Sequence, residues 1–226
     1  MTKDNGLIHL ERRITQPAIV LDLIDDFTLE GVPGGVEVAL QGHAIKPVRN
    51  RSGYYLFINL APGDYRYSIA SEHFERVEDG VTVEKNKIPE KPIRINLIPR
   101  PSYPFPHGVT LIRGTVLEEK TRNPIKNAQV GLKLKGKEVE AKTTDDGQFV
   151  IYLRRLKARM WKKVNGKALV TADNETTALT AVFTRKGYQD DKMFLITEGT
   201  EKDSETFTVE VGKEVILKKY LKKGGP

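Results

Sequence analysis

Short stretches in which apolar residues alternate with polar ones recur along the whole chain. In the first half they are Val36-Glu37-Val38-Ala39-Leu40, Tyr65-Arg66-Tyr67-Ser68-Ile69 and Ile93-Arg94-Ile95-Asn96-Leu97. In the second half they are Val130-Gly131-Leu132-Lys133-Leu134, Phe149-Val150-Ile151-Tyr152-Leu153 and Phe207-Thr208-Val209-Glu210-Val211. Successive side chains of a strand point to opposite faces, so a period of two marks strands with one buried face. Turn-forming clusters separate them at Val32-Pro33-Gly34-Gly35, Arg51-Ser52-Gly53, Ala61-Pro62-Gly63-Asp64, Asp145-Asp146-Gly147 and Asn165-Gly166. No segment sustains the 3.6-residue stripe of an amphipathic helix. Strands spaced by roughly 8–12 residues with turns between them predict an all-β sandwich or barrel.

The most conspicuous break is Pro99-Arg100-Pro101-Ser102-Tyr103-Pro104-Phe105-Pro106-His107-Gly108. Its prolines cannot donate to a sheet ladder and hold the backbone extended. It reads as a stiff linker (100–108) between a first sandwich (13–99) and a second (109–221), with a flexible start (1–12) and a short tail (222–226). Tyr103 and Phe105 are expected to pack between the two domains. The halves also resemble each other. Asp25-Asp26-Phe27, Val32-Pro33, Val36-x-Val38-x-Leu40 and Ser52-Gly53-Tyr54-Tyr55 run parallel to Glu118-Glu119-Lys120, Asn123-Pro124, Val130-x-Leu132-x-Leu134 and Asp146-Gly147-Gln148-Phe149. Two copies of one sandwich is the economical reading.

Four blocks of the second half occur in a recognisable order. They are Arg113-Gly114-Thr115-Val116, Asn123-Pro124-Ile125-Lys126-Asn127-Ala128-Gln129-Val130, Thr143-Thr144-Asp145-Asp146-Gly147-Gln148-Phe149 and Arg185-Lys186-Gly187-Tyr188. This half resembles the carboxypeptidase regulatory-like family. The first half, through Ser52-Gly53-Tyr54-Tyr55 and Leu60-Ala61-Pro62-Gly63-Asp64-Tyr65, resembles it more loosely. The resemblance implies two tandem transthyretin-like (Ig-like) Greek-key β-sandwich domains. It also implies a non-catalytic accessory role, because the family stands beside a peptidase domain that is absent from this sequence. Similar tandem modules occur in larger assemblies such as phage-tail-like particles.

Composition changes this picture little. At 38% hydrophobic and 30% charged, the 226 residues suit a soluble globular chain. No apolar run approaches the ~18–20 residues that cross a bilayer, so no membrane span is expected. No secretory leader is apparent, which gives a cytoplasmic expectation with extracellular or particle-associated placement left open. The absence of cysteine excludes disulfides, thiolate metal sites and a cysteine nucleophile.

Charge adds more. The net charge is +7, and residues 154–167 hold seven cations (Arg154, Arg155, Lys157, Arg159, Lys162, Lys163, Lys167) with no anion. This stretch opens an insertion of about 20 residues relative to the first half (154–176), which contains Trp161 and an expected hairpin at Asn165-Gly166. Insertions on a repeated scaffold are where function tends to sit. The candidate partner-binding residues are therefore Arg154, Arg155, Lys157, Arg159, Trp161, Lys162 and Lys163. A protein partner is the first expectation, a carbohydrate ligand or adhesion role the alternative, and single-stranded nucleic acid the lesser reading. Open sheet edges leave homo-oligomers possible.

No catalytic or cofactor chemistry is legible. There is no P-loop, Gly-x-Ser-x-Gly elbow or paired-histidine zinc motif. His9, His43, His73 and His107 are dispersed, and no metal site is expected. The paired acids Asp25-Asp26, Asp145-Asp146 and Asp190-Asp191 read as turns whose carboxylates accept local amides. Hydroxyisourate hydrolases resemble this fold but end in Tyr-Arg-Gly-Ser, whereas this chain ends Tyr220-Leu221-Lys222-Lys223-Gly224-Gly225-Pro226. Intradiol dioxygenases need a His-x-His pair that the sequence lacks. Tyr54, Tyr55, Phe57, Tyr65 and Tyr67 read mainly as core, with one of Tyr54 and Tyr55 sent outward by alternation.

Overall fold

The computed structural model describes residues 15–85, 87–135, 137–154, 156–172, 179, 181–186, 191–192 and 207–221. The expected flexible start, the tail, Arg155 and the Gly187-Tyr188 block lie outside the described residues. The chain is all-β and divides into two compact units, Met1–Ser71 with Glu75–Leu97 and Glu72–Phe74 with Ile98–Pro226.

The first unit contains β1 (Pro17–Asp25), β2 (Val36–Leu40), β3 (Val48–Arg49), β4 (Tyr55–Ile58), β5 (Gly63–Ser71), β6 (Val77–Val83) and β7 (Ile93–Leu97). They form one sheet in the order β3-β4-β1-β7 and another in the order β2-β5-β6. β1 pairs antiparallel with β4 and parallel with the last strand, β7. The alternating pattern closes the core: Ile19, Leu21, Leu23, Tyr55, Phe57 and Leu97 are buried from one sheet, and Val38, Leu40, Tyr67 and Ile69 from the other.

The second unit contains β8 (Thr110–Glu118), β9 (Gln129–Leu134), β10 (Lys137–Lys142), β11 (Gln148–Leu153), a 3-10 turn (Ala158–Met160), β12 (Trp161–Val164), β13 (Lys167–Val170), β14 (Ala181–Thr184), β15 (Asp191–Lys192) and β16 (Glu214–Leu221). Its sheets run β11-β8-β16 and β10-β9-β14-β15, with β12 and β13 as a separate hairpin. Ile112, Val116, Phe149 and Leu217 from the first sheet share one core with Val130, Leu132 and Phe183 from the second.

The two units repeat each other bond for bond at two loops. After β1, the amides of Asp25, Asp26, Leu29 and Val32 donate to the carbonyls of Glu30, Leu97, Asp25 and Leu23. After β8, those of Glu118, Glu119, Arg122 and Ile125 donate to Asn123, Leu221, Glu118 and Val116. Leu29 (φ 65°) and Arg122 (φ 62°) hold the same left-handed position. The turns entering β4 and β11 also match. Gly53 and Tyr54 donate to the carbonyl and side-chain oxygens of Asn50, as Gly147 and Gln148 do to those of Thr144. The structure therefore aligns Gly31 with Pro124 and Val32 with Ile125, two residues away from the match suggested by Val32-Pro33 and Asn123-Pro124. The third strand is where the copies diverge: β3 joins β4, whereas β10 crosses to β9.

Two expectations change. Residues 98–108 belong to the second unit, where the amide of Arg100 donates to His73 O at 2.8 Å and the Pro101 carbonyl accepts from Arg113. Phe105 lies 5.5 Å from Tyr152 and 4.6 Å from Tyr103, which reaches Phe74 at 5.5 Å. The Arg113 guanidinium sits over the Phe105 ring and pairs with Glu214 at 2.9 Å. Prolines that cannot join a ladder are thus laid over a sheet face by stacking and by an arginine. Phe207–Val211 keeps its alternating burial but forms only isolated bridges, at Phe207 and Glu210.

Gly114 faces Phe149 and Leu217 in register, and a Cβ there would lie 2.6 Å from the Phe149 ring and 2.5 Å from Leu217 O. Gly114→Ala should therefore destabilise the protein by about 3 kcal/mol in urea unfolding. At Gly131 the nearest atom to such a Cβ is 4.0 Å away, so Gly131→Ala should stay within about 1 kcal/mol of wild type.

Candidate functional site

The insertion begins where β11 ends. Arg154 is half-buried there, Leu156 packs against the core, and Met160 and Val170 enter it. Between these anchors the chain turns outward as the hairpin of β12 and β13, with Trp161 paired to Val170, Lys162 to Leu169, Lys163 to Ala168 and Val164 to Lys167. Asn165 (φ 50°) and Gly166 (φ 82°) form the two-residue turn, both left-handed as a type I′ hairpin requires. This part of the sequence reading is borne out by the structure.

The hairpin is held along its inner side by a segment far away in sequence. Val170 N–H donates to Val209 O at 2.9 Å, and Val211 N–H donates to Ala168 O at 2.8 Å. Thr171 continues the run, donating to Met160 O at 2.9 Å and accepting from Lys135 N–H at 3.0 Å. Residues 209–211, β13 and β12 thus form a three-stranded ribbon with β12 outermost. Sequence reasoning missed this docking. Its signal was the alternation Phe207-x-Val209-x-Val211, which had been assigned to an ordinary sheet strand.

Of the seven residues expected at the site, Lys157, Arg159, Trp161, Lys162 and Lys163 are exposed on the hairpin and its lead-in. Arg154 follows β11 and is half-buried, and Arg155 lies outside the described residues. Lys167 joins the group and pairs with Glu210 at 3.7 Å. Lys157, Arg159 and Lys163 carry no ion pair among the described residues. Trp161 is 36% exposed and is the one aromatic among the described large apolar residues on the surface. Cations around an exposed indole can engage anions through charge and apolar or aromatic groups through the ring.

The other candidates resolve into structure. Among the described residues no group of three His, Asp or Glu side chains is placed to hold a metal. His43 packs 5.2 Å from Tyr65. The Asp25 carboxylate accepts the Phe27 and Thr28 amides at 2.7 and 3.3 Å, as expected of a turn. At Asp145-Asp146, by contrast, the turn is held by the Gly147 and Gln148 amides donating to the carbonyl and hydroxyl oxygens of Thr144, and both carboxylates are exposed. Tyr55, Phe57 and Tyr67 are buried, and Tyr54 and Tyr65 are half-buried. The Tyr67 phenol is pushed up from its ordinary value, first by burial and then by Asp79, which accepts its hydrogen bond at 3.4 Å. No helix of the described residues is long and apolar enough to cross a membrane.

No protein-family model and no curated protein matches the sequence. Among solved structures, the Bacillus anthracis TIE protein is similar at a TM-score of 0.32 and 15% identity, covering 92% of this chain and 34% of its own. The shaft pilin SpaA from Lactobacillus rhamnosus GG is similar at 0.30 and 8%, covering 94% and 99%. The group B streptococcus pilus 2b backbone protein is similar at 0.30 and 13%, covering 92% and 83%. Likenesses of this size carry no function across to the chain.

Two stability predictions follow from the geometry. Val170→Ala removes a fully buried anchor of the hairpin and should cost about 2 kcal/mol in urea unfolding, whereas Lys163→Ala on the exposed edge should stay within about 0.5 kcal/mol. Because the folded pKa of Tyr67 is raised, the stability tied to its neutral phenol is present below the unfolded value of about 10 and is lost as pH rises through the folded one. Comparing wild type with Tyr67→Phe in alkaline unfolding should therefore show a smaller loss in the variant.

Proposed function

We propose that the chain is a non-catalytic binding or bracing protein, in which two β-sandwiches act as scaffold and the hairpin of residues 157–167 contacts a protein partner. The supporting observation is an asymmetry. Where the first unit passes from β4 to β5 through a short turn, the second inserts a hairpin whose apolar anchors are buried while its cations and Trp161 are exposed. A solvated loop needs neither a type I′ turn nor hydrogen bonds to residues 209–211. The resemblance of the second half to carboxypeptidase regulatory-like domains supports an accessory role, and membership of a larger particle, of which a phage-tail-like one is an example, belongs to the same reading. The carbohydrate alternative called for a row of exposed aromatics on one sheet, and the described residues offer Trp161 alone.

The test is an affinity pull-down from the native host with mass-spectrometric identification. Wild type is compared with the triple variant Arg159→Ala, Trp161→Ala, Lys163→Ala, whose fold is checked by circular dichroism. A specific protein recovered with wild type should be lost with the variant. Equal recovery would show that the hairpin is not the contact surface.

A further inference from the structure

The edge chemistry of β12 narrows the partner, an argument that rests on the hairpin being the binding face. In an antiparallel pair, the backbone groups of successive residues point alternately toward the partner strand and away from it. Met160 accepts from Thr171, and the register then sends the backbone groups of Lys162 and Val164 inward to β13. The N–H and C=O groups of Trp161 and Lys163 consequently point outward, and among the described residues nothing pairs with them. β13 follows the same alternation on its far side, where Ala168 and Val170 bond to residues 209–211.

We propose that β12 takes up an extended, acidic segment of a partner protein as an added strand. The outward backbone groups of Trp161 and Lys163 supply the ladder. Charge complementarity selects the side chains: residues 154–167 contain no anion, and the neighbouring Glu210 is engaged by Lys167. Residues directly opposite on adjacent strands have Cβ atoms about 5 Å apart. Lys163, which carries no ion pair among the described residues, offers its ammonium to a carboxylate on its own face of the incoming strand. Trp161, on the same face as Lys163, offers its ring to an apolar residue.

The same charges disfavour other occupants. A second copy of β12 would bring lysines against lysines, which is destabilising. Single-stranded nucleic acid needs a series of aromatic platforms and makes no use of an open ladder; here one indole is exposed among the described residues.

The chain's single tryptophan lies on this edge, so binding to the full chain can be read from Trp161 fluorescence. The probe is a short capped peptide rich in Glu and Val, with two derivatives N-methylated at alternate residues of one or the other parity. The acidic peptide should shift the emission. One methylated derivative should lose binding while the other keeps it, because only one parity of N–H groups faces β12. The substitution Lys163→Glu lies on an exposed position that leaves the core intact. It should weaken the acidic peptide about tenfold and admit a lysine-rich analogue. Equal binding by both methylated derivatives would reduce the contact to loose charge attraction and overturn the proposal. Tighter binding of an oligothymidylate than of any peptide would replace it with nucleic-acid binding. Loss of the pulled-down partner in the hairpin variant, with no response to acidic peptides, would leave the binding face standing and remove only the acidic strand.

Discussion

The second unit depends on the close approach of the Phe149 ring to the backbone of β8 at Gly114. The ring occupies the space a Cβ would need, and it meets Phe183 of the facing sheet edge-on at 5.8 Å. One side chain therefore fixes the register of β11 on β8 and ties the two sheets together. The turn just upstream has the same tolerance: Gly147, at φ 69°, has the Val116 carbonyl where its own Cβ would fall. Two glycines and one phenylalanine leave this hairpin little alternative register, because a one-residue slip would turn Phe149 to the outer face. In the first unit Tyr55 lies opposite Leu21 with no glycine beneath it, and Arg49 stacks over its ring at 5.5 Å. The equivalent strand pair is thus held there by a different contact.

A fixed scaffold explains how the insertion can be ordered. Ordering each residue of a loop costs roughly 1–2 kcal/mol of backbone entropy, and a lone two-stranded hairpin does not offset that in water. Here Met160 and Val170 add to a core that already exists, and residues 209–211 provide a third strand from chain that must pass this way to reach β16. The hairpin borrows its stability from the sandwich, so substitutions on its exposed outer edge should leave it folded.

Much of this was legible in the sequence because it rests on local patterns. The strands Val36–Leu40 and Ile93–Leu97 and the Asn165-Gly166 hairpin follow from alternation and turn chemistry. The parts that were not legible depend on partners remote in the chain. β3 is two residues long and β10 reads Lys-Glu-Val-Glu-Ala-Lys, so neither pattern says which sheet it will join. The prolines of 99–106 correctly excluded a ladder strand but said nothing of Arg113, whose guanidinium binds the Pro101 carbonyl and covers Phe105. The repeat was visible as a rhythm and misaligned in detail, because prolines caught the reading while hydrogen bonds set the match. At the site, sequence groups Arg154 with its exposed neighbours, but at the end of β11 it is half-buried.

The treatment of sheet edges carries the remaining weight. An exposed edge invites unwanted strands, and charge is a common deterrent. β10 mixes signs with Lys137, Glu138, Glu140 and Lys142, and so offers no consistent attraction to an incoming strand of either charge. β3 is too short to template one. β12 differs from both. Its charges are of one sign, it carries an exposed indole, and the core holds it in place. A mixed-sign edge favours neither charge, whereas a single-sign edge repels its own kind and neutral strands gain little from it. Opposite charge is the one condition under which such an edge becomes favourable to pair. The lysines that disfavour pairing of β12 with a second copy are therefore the same groups that would give it a preferred partner.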